Sequence, residues 1–314
     1  MSLENLSCRY GEIRVVDLRV ATKLKYLKLM DMKSLQEVKL KDASALEYVA
    51  IGGTASPKSE KLKTVDLSTC TSLRELYIEN SGISSLNLTS CVNLEVFKCG
   101  ATYLESLDLS KCVKLKTLDM YNTVYKRPMI SFLELGDIPY ITSVNMNIAP
   151  YIKVCGTKLE HILCGHADKY NNYIQDVDFS GCTNLKSVSI EQFSGELNLS
   201  NITHLKDVDV YNATISKFNF EGSENIESLI LRGAVGYFFI YVSNWEDLYL
   251  PKLKSFSVSN LAKAPDLLDL SKSPLLEHVT IQYNNSSFKT LILNEDVKLD
   301  ETSTIPETVT VQYE

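Results

Sequence analysis

The chain has 314 residues, 45% of them hydrophobic and 23% charged, with a formal net charge of -7. This composition supports a folded core and excludes a disordered chain. The mild acidic balance argues against nucleic acid or an anionic membrane as the main partner. No apolar run is long enough to cross a membrane as a helix. Met1-Ser2-Leu3-Glu4 enters a repeat at once, with no secretory leader ahead of it.

Self-similarity governs the rest. Between Leu62 and Thr123 the sequence reads LKTVDLSTCTS, LRELYIENSG, ISSLNLTSCVN, LEVFKCGATY, LESLDLSKCVK, LKTLDMYNT. Each block opens with apolar residues at positions one, four and six. Two kinds alternate, here termed A (LRELYIENSG) and B (LESLDLSKCVK). In chain order the sixth A position is Cys8, Leu29, Ile51, Ile78, Cys99, Met120, Met146, Cys164, Ile190, Val210, Leu231, Val258 and Ile281. The sixth B position is Leu18, Leu40, Leu67, Leu88, Leu109, Leu135, Val154, Phe179, Leu199, Phe220, Leu250, Leu270 and Leu293. The stretch 233–252 leaves room for an extra strand.

Alternation at positions four to seven is a strand period. A strand this short buries its apolar face only by stacking on copies of itself. The predicted fold is therefore a leucine-rich repeat solenoid of about 13 turns, each about 21–23 residues. It is a β-rich horseshoe or superhelix, with parallel strands on the concave face, extended segments on the convex face and little α-helix. Residues 1–314 form a single repeat domain, with 299–314 as a C-terminal capping strand built on VTVQY. No N-terminal cap is visible, which predicts removed upstream sequence, fraying or dimerisation.

The A block fits LxxLxLxxN/CxL. Its alternation with LxxLDLSxCxx, clearest at Val65–Cys70, Leu107–Cys112 and Val177–Cys182, resembles the cysteine-bearing leucine-rich repeats of Bacteroidetes surface proteins, internalin-like in design. The resemblance covers essentially the whole chain and implies a bacterial surface or secreted location. One departure is the ladder asparagine at the ninth A position. Gly11, Ser81, Thr102, Thr123, Ala149 and Ala213 stand there instead, and only Asn284 keeps it.

The eight cysteines invite a metal or disulfide reading. Position explains seven of them as small buried apolar residues. Cys8, Cys99 and Cys164 fill the sixth A position, and Cys70, Cys91, Cys112 and Cys182 the ninth B position. Cys91 and Cys112 stack closely enough for a strained bridge to be conceivable. No CxxC or zinc spacing occurs. Asp or Asn recurs at the fifth B position: Asp66, Asn87, Asp108, Asp178, Asn198, Asn219 and Asp269. A calcium ladder is one reading. Turn capping of nearby backbone amides is favoured, given the Ser or Thr two residues on. His161 and His166 flank Cys164 but point outward while it points inward, so no metal site is assigned. No cofactor motif and no catalytic set is found, and the chain is read as a binding module and not an enzyme.

Two surfaces suit a partner. Tyr26, Tyr48 and Tyr77, with Tyr10, lie on the outward A face of the early turns. Asp119, Tyr121, Asn122, Asn145, Asn147, His161, His166, Asp207, Asp209, Tyr211 and Asn212 follow on later ones. Tyrosine and asparagine rows fit protein or glycan recognition; tyrosine is equally a good strand residue. The second surface is one rim. B-to-A connections are nearly constant in length, while A-to-B connections vary, so long loops emerge together. Tyr125, Arg127 and Tyr170 sit in them. Drift on a tolerant edge explains the same pattern. A protein partner is expected first, with a glycan as the alternative.

Overall fold

The computed structural model describes residues 3–53, 61–100, 102–120, 130–165, 174–234, 239–245, 248–282 and 288–314, with the backbone alone for 145–150. The chain divides into two compact units: Met1–Leu159 with Ala167–Lys169, and Glu160–His166 with Tyr170–Glu314. Both are leucine-rich repeat β-solenoids of parallel strands, and no helix occurs among the described residues.

In the first unit the A strands are Asn5–Arg9, Tyr26–Met30, Tyr48–Gly52, Glu75–Glu79, Val96–Lys98 and Thr117–Asp119, paired in that order. Cys8, Leu29, Ile51 and Ile78 fall in one register file, as the repeat requires. Leu27, Leu76 and Phe97 fill the fourth position and are fully buried. The B segments are extended and pair in parallel: Val15–Asp17, Glu37–Lys39 and Thr64–Val65 in one sheet, Ser106–Asp108, Ile130–Gly136 and Ser143–Gly156 in another.

The second unit repeats the plan. Its A strands are His161–Gly165, Ser187–Glu191, Asp207–Tyr211, Ser228–Arg232, Ser255–Ser259 and His278–Gln282, with Cys164, Ile190, Val210, Leu231, Val258 and Ile281 in one file. Apart from Asp176–Gly181, its B strands form two separate sheets. Ser194–Asn198, Thr214–Asn219 and Tyr241–Val242 make one, and Leu267–Leu270, Thr290–Leu293 and Thr310–Tyr313 the other.

The near-constant B-to-A connection is a pair of consecutive tight turns. The N–H of the ninth B residue donates to the carbonyl of the sixth, and the first A residue donates to the ninth. Cys70 to Leu67 followed by Leu73 to Cys70 is one example, and Cys112 to Leu109 followed by Leu115 to Cys112 another. Such turns satisfy the buried backbone without extra residues, which holds the connection to one length.

Three expectations need correction. Val154 pairs with Leu133, a fourth-position residue, and not with Leu135. Ser143–Gly156 is one continuous strand of 14 residues, so the A and B segments of that turn run together and the register slips by two. Gly156 lies against Leu135, where an added Cβ would meet the Leu135 side chain at 3.1 Å. Within 233–252 no extra strand arises among the described residues; Tyr241–Val242 is the ordinary B strand of its turn, paired with Thr214–Ile215. The polar ladder of the A turn sits at position eight, not nine. Asp31, Asn80, Gln192, Asn212 and Asn260 all take left-handed φ there, between 49° and 58°. Asn80 Nδ2 donates to Gly53 O at 3.1 Å, and Asn260 Nδ2 to Gly233 O at 2.7 Å. Asn and Asp tolerate that conformation better than other side chains. The ninth position turns inward instead, with Ser81, Thr102 and Ala213 buried.

Candidate functional site

The outward A face of the first unit carries a tyrosine file. Register places Tyr26 beside Tyr48 at position three, while Tyr77 stands at position five of the next strand. The rings of Tyr26 and Tyr48 stack at 4.4 Å with planes 10° apart, and Tyr48 meets Tyr77 at 5.4 Å and 36°. All three are half-buried. Ala50, outward-facing between Lys28 and Tyr77, is only 3% exposed, which gives the rings a flat floor. Burial, ahead of the neighbouring phenols, pushes Tyr48 up to about 12, so it stays a neutral donor at any physiological pH. Tyr77 is held by its hydroxyl, which donates to Glu75 Oε2 at 2.9 Å. Lys98 and Asp119, paired at 3.4 Å, continue the face.

The corresponding face of the second unit is polar. His161 Nδ1 lies 2.7 Å from Ser187 Oγ. Arg232 bonds Asp209 on the neighbouring strand and lies over the Tyr211 ring at 5.6 Å. Asp207 is exposed at the strand start. Asn212, grouped with these residues in the sequence, is 5% exposed and serves the turn: its Oδ1 accepts from Ala234 N at 2.8 Å. Asn145 and Asn147 lie on the strand Ser143–Gly156, where only the backbone is described. Tyr121, Asn122, Tyr125, Arg127, His166 and Tyr170 lie outside the described residues.

The Asp/Asn row at the fifth B position caps turns. Asp66, Asn87, Asp108, Asp178, Asn198 and Asp269 each accept, through Oδ1, the N–H two residues on, at 2.8–3.2 Å, and Asn219 does so from Glu221 at 3.3 Å. The bond from the Ser68 hydroxyl, with that from its N–H, holds the Asp66 carboxyl below its ordinary range. The cysteines are free thiols, and Cys8, expected in the core, is only half-buried because it lies on the first strand of the ladder. Burial pushes Cys70, Cys91 and Cys112 up to about 12, so none is a ready nucleophile. Cys112 Sγ points at Leu88 O, one coil earlier, at 3.9 Å. Ser223 and Ser273 occupy the same position and donate to Leu199 O and Leu250 O at 2.7 and 2.9 Å. Cys155, which the repeat left unexplained, is half-buried beside Glu134. Cys164 faces the core while His161 faces out, as phase predicts. Among the described residues no group of three His, Cys, Asp or Glu side chains is placed to hold a metal.

Sequence reasoning missed two features. The first is a charge ladder at the second A position: Glu4, Lys25, Glu47, Arg74, Glu95 and Lys116 alternate in sign up the first unit. Glu95 takes Arg74 at 2.6 Å and Lys116 at 2.7 Å. In the second unit Glu227 takes Lys206 at 2.7 Å and Lys254 at 2.9 Å. These side-chain bonds hold Glu95 and Glu227 down at about 2. The alternation is plain once the blocks are aligned, and it lay beyond a search for apolar positions. The second is the role of His278. Its Nδ1 lies 3.1 Å from Asp300 and its Nε2 2.8 Å from Thr280 Oγ1. The ring ties 300–304 to the last A strand, where Thr304 bridges Thr280.

No family model and no curated protein matches this sequence. Solved structures similar to the chain include the functional domain of InlJ from Listeria monocytogenes, described as including a cysteine ladder. The identity is 18% and the TM-score 0.46, over 95% of this chain and 59% of that one. The chain thus spans under two thirds of that relative's length. An internalin, InlF, from Listeria monocytogenes str. 4b F2365 is 17% identical over 99% of this chain and 86% of its own, with a TM-score of 0.43. TLR13, solved in complex with the RNA ssRNA13, is 12% identical over 99% of this chain and 50% of its own, with a TM-score of 0.45.

Proposed function

We propose that this chain is a non-catalytic recognition module that binds a protein partner through the outward A face, and that 1–314 acts as one repeat domain closed by 299–314. The stacked file Tyr26–Tyr48–Tyr77 carries the reading. Three half-buried phenols, locked by mutual contact, offer rigid amphipathic area with little side-chain entropy left to lose on binding. Asp119 extends the contact as a polar group on the same unit, and His161, Asp207, Asp209 and Tyr211 are the polar candidates on the A face of the second unit. Asn145, Asn147, Tyr121, Asn122, Tyr125, Arg127, His166 and Tyr170 remain candidates from sequence position. The resemblance in the repeat motifs supports a bacterial surface or secreted location.

The test compares the wild type with Tyr26→Ser/Tyr77→Ser. Partners captured by the wild type are purified and titrated against both proteins. Binding weakened at least about tenfold at an unchanged melting temperature supports the A face. Equal affinity moves the site elsewhere. Location is tested by fractionating cells that produce the full gene product.

A further inference from the structure

A hollow of about 720 Å³ in the second unit lies on the B face, away from the A strands. It sits where B pairing fails. Tyr241–Val242 ends one B sheet and Leu267–Leu270 begins the next, with no strand between them among the described residues. The chain leaves the ladder after Ser243, whose N–H donates to Ile215 O at 2.8 Å. The two coils still meet at the turn, where Ser273 Oγ donates to Leu250 O at 2.9 Å, but no strand pairing closes the space beside it.

The lining of this hollow is mixed. Its aromatic and apolar members are Trp245, Leu248, Tyr249 and Leu267. Trp245 is fixed edge-on against Phe288 at 5.4 Å and against Phe218 at 6.2 Å. It is 8% exposed, and its indole N–H has no hydrogen-bond partner among the described residues. Buried donors are nearly always paired in folded proteins. Tyr249 and Leu267, by contrast, are 54% and 46% exposed and both line the hollow. Asp269, on the same exposed strand face as Leu267, and Lys272 add charge to this lining. Asp269 uses one carboxylate oxygen on Ser271 N and has a second to offer. Tyr249 also borders an adjoining hollow of about 310 Å³ lined by Lys217, Glu221 and Glu224. Tyr249 thus lines both compartments.

We propose that this pair of hollows is a glycan site that takes a neutral oligosaccharide, with neighbouring pyranose units in the two compartments that Tyr249 lines. A pyranose has an apolar C–H face to lie on an aromatic ring and a rim of hydroxyls. Those hydroxyls both donate, as an acceptor-only carboxylate needs, and accept, as lysine needs. An extended peptide added to the Leu267–Leu270 edge would use the strand's main chain but supplies few donors for side-chain carboxylates. The two compartments together hold four carboxylates, Asp266, Asp269, Glu221 and Glu224, against Lys217, Lys272 and Lys289, the last paired with Asp266 at 2.8 Å. That balance disfavours anionic sugars. The site is independent of the A-face reading.

Trp245 is the single tryptophan, so its emission reports the site directly. The full chain is titrated with maltose, cellobiose, lactose and N,N′-diacetylchitobiose, with a uronic-acid disaccharide, and with a capped apolar pentapeptide. The expected result is a saturable emission change with at least one neutral disaccharide and none with the acidic one. In Tyr249→Ala the affinity falls about tenfold or more, with an unchanged circular dichroism melt. In Tyr26→Ala, on the other unit, the response persists, so failure of this site is distinguishable from failure of the A face. Silence with all four neutral sugars, a response untouched by Tyr249→Ala, or saturation by the peptide alone each overturns the proposal.

Discussion

The hydroxyl of Ser223 donates to the carbonyl of Leu199, one coil earlier and 2.7 Å away. The same oxygen accepts the N–H of Ile202 at 2.8 Å, and the residue is fully buried. A single small side chain thus satisfies two backbone groups between coils. Ser223→Ala orphans both and is expected to cost about 1–3 kcal/mol. Ser223→Cys should recover part of that, since Cys112 makes the equivalent contact to Leu88 O. Urea denaturation of the three proteins checks this; an alanine variant as stable as the wild type would remove the inter-coil bond from the account.

Leu107 is 2% exposed and lies in register with Leu133 of the next B strand. Leu107→Ala leaves a cavity shared by two coils, with an expected loss of about 2–5 kcal/mol. Its exposed neighbour Asp108, substituted by Asn, keeps an acceptor for Ser110 N and should change stability by less than about 0.5 kcal/mol. Chemical denaturation of both variants tests the pair, and reversed magnitudes contradict the assigned facing.

Gly52 has φ 144° and lies against the main chain of Glu79, so a Cβ would land on the Glu79 carbonyl oxygen. That oxygen accepts Gly53 N at 3.0 Å. Gly52→Ala therefore forces two A strands apart, and strain alone predicts a loss of at least about 1–3 kcal/mol. A thermal melt within a few degrees of the wild type would argue against this packing.

The charge ladder has a pH signature. Glu95 and Glu227 are held at about 2 in the folded chain, by lysine and arginine neighbours, against roughly 4.3 when unfolded. A depressed folded value means the contribution is complete above the unfolded value and is lost as pH falls through the folded one. Melting temperature should therefore decline between about pH 5 and about pH 2. Glu95→Gln/Glu227→Gln should flatten that decline, and raised salt should weaken the effect because these pairs are solvent-exposed. An identical slope in the double variant assigns the acid loss to other groups.

Most of the architecture was legible because a stacking fold repeats its constraints. Cys8, Leu29, Ile51 and Ile78 align on spacing alone, and the structure places them in one file. Asp66 and Asp108 announced turn caps because the bond they make is local, two residues along the chain. The reading slipped at Val154, where the turn between A and B is replaced by continuous strand. An alternating pattern looks the same when displaced by two residues, since that shift keeps every side chain on its own face. Asn212 was misplaced on the surface because a left-handed φ redirects its side chain into the turn.

Apolar period, turn chemistry and thiol burial are properties of short segments, and the sequence by itself determined them. It settled that the chain coils and that the fourth and sixth positions of its blocks face inward. Only the tertiary structure decided which outward residues meet. The stacking of Tyr26 on Tyr48, the doubling of partners on Glu95 and the gap beside Trp245 all depend on how one coil sits on the next. Those contacts join residues 20 or more positions apart, and their geometry follows from inter-strand register and from where pairing stops, which no local pattern encodes.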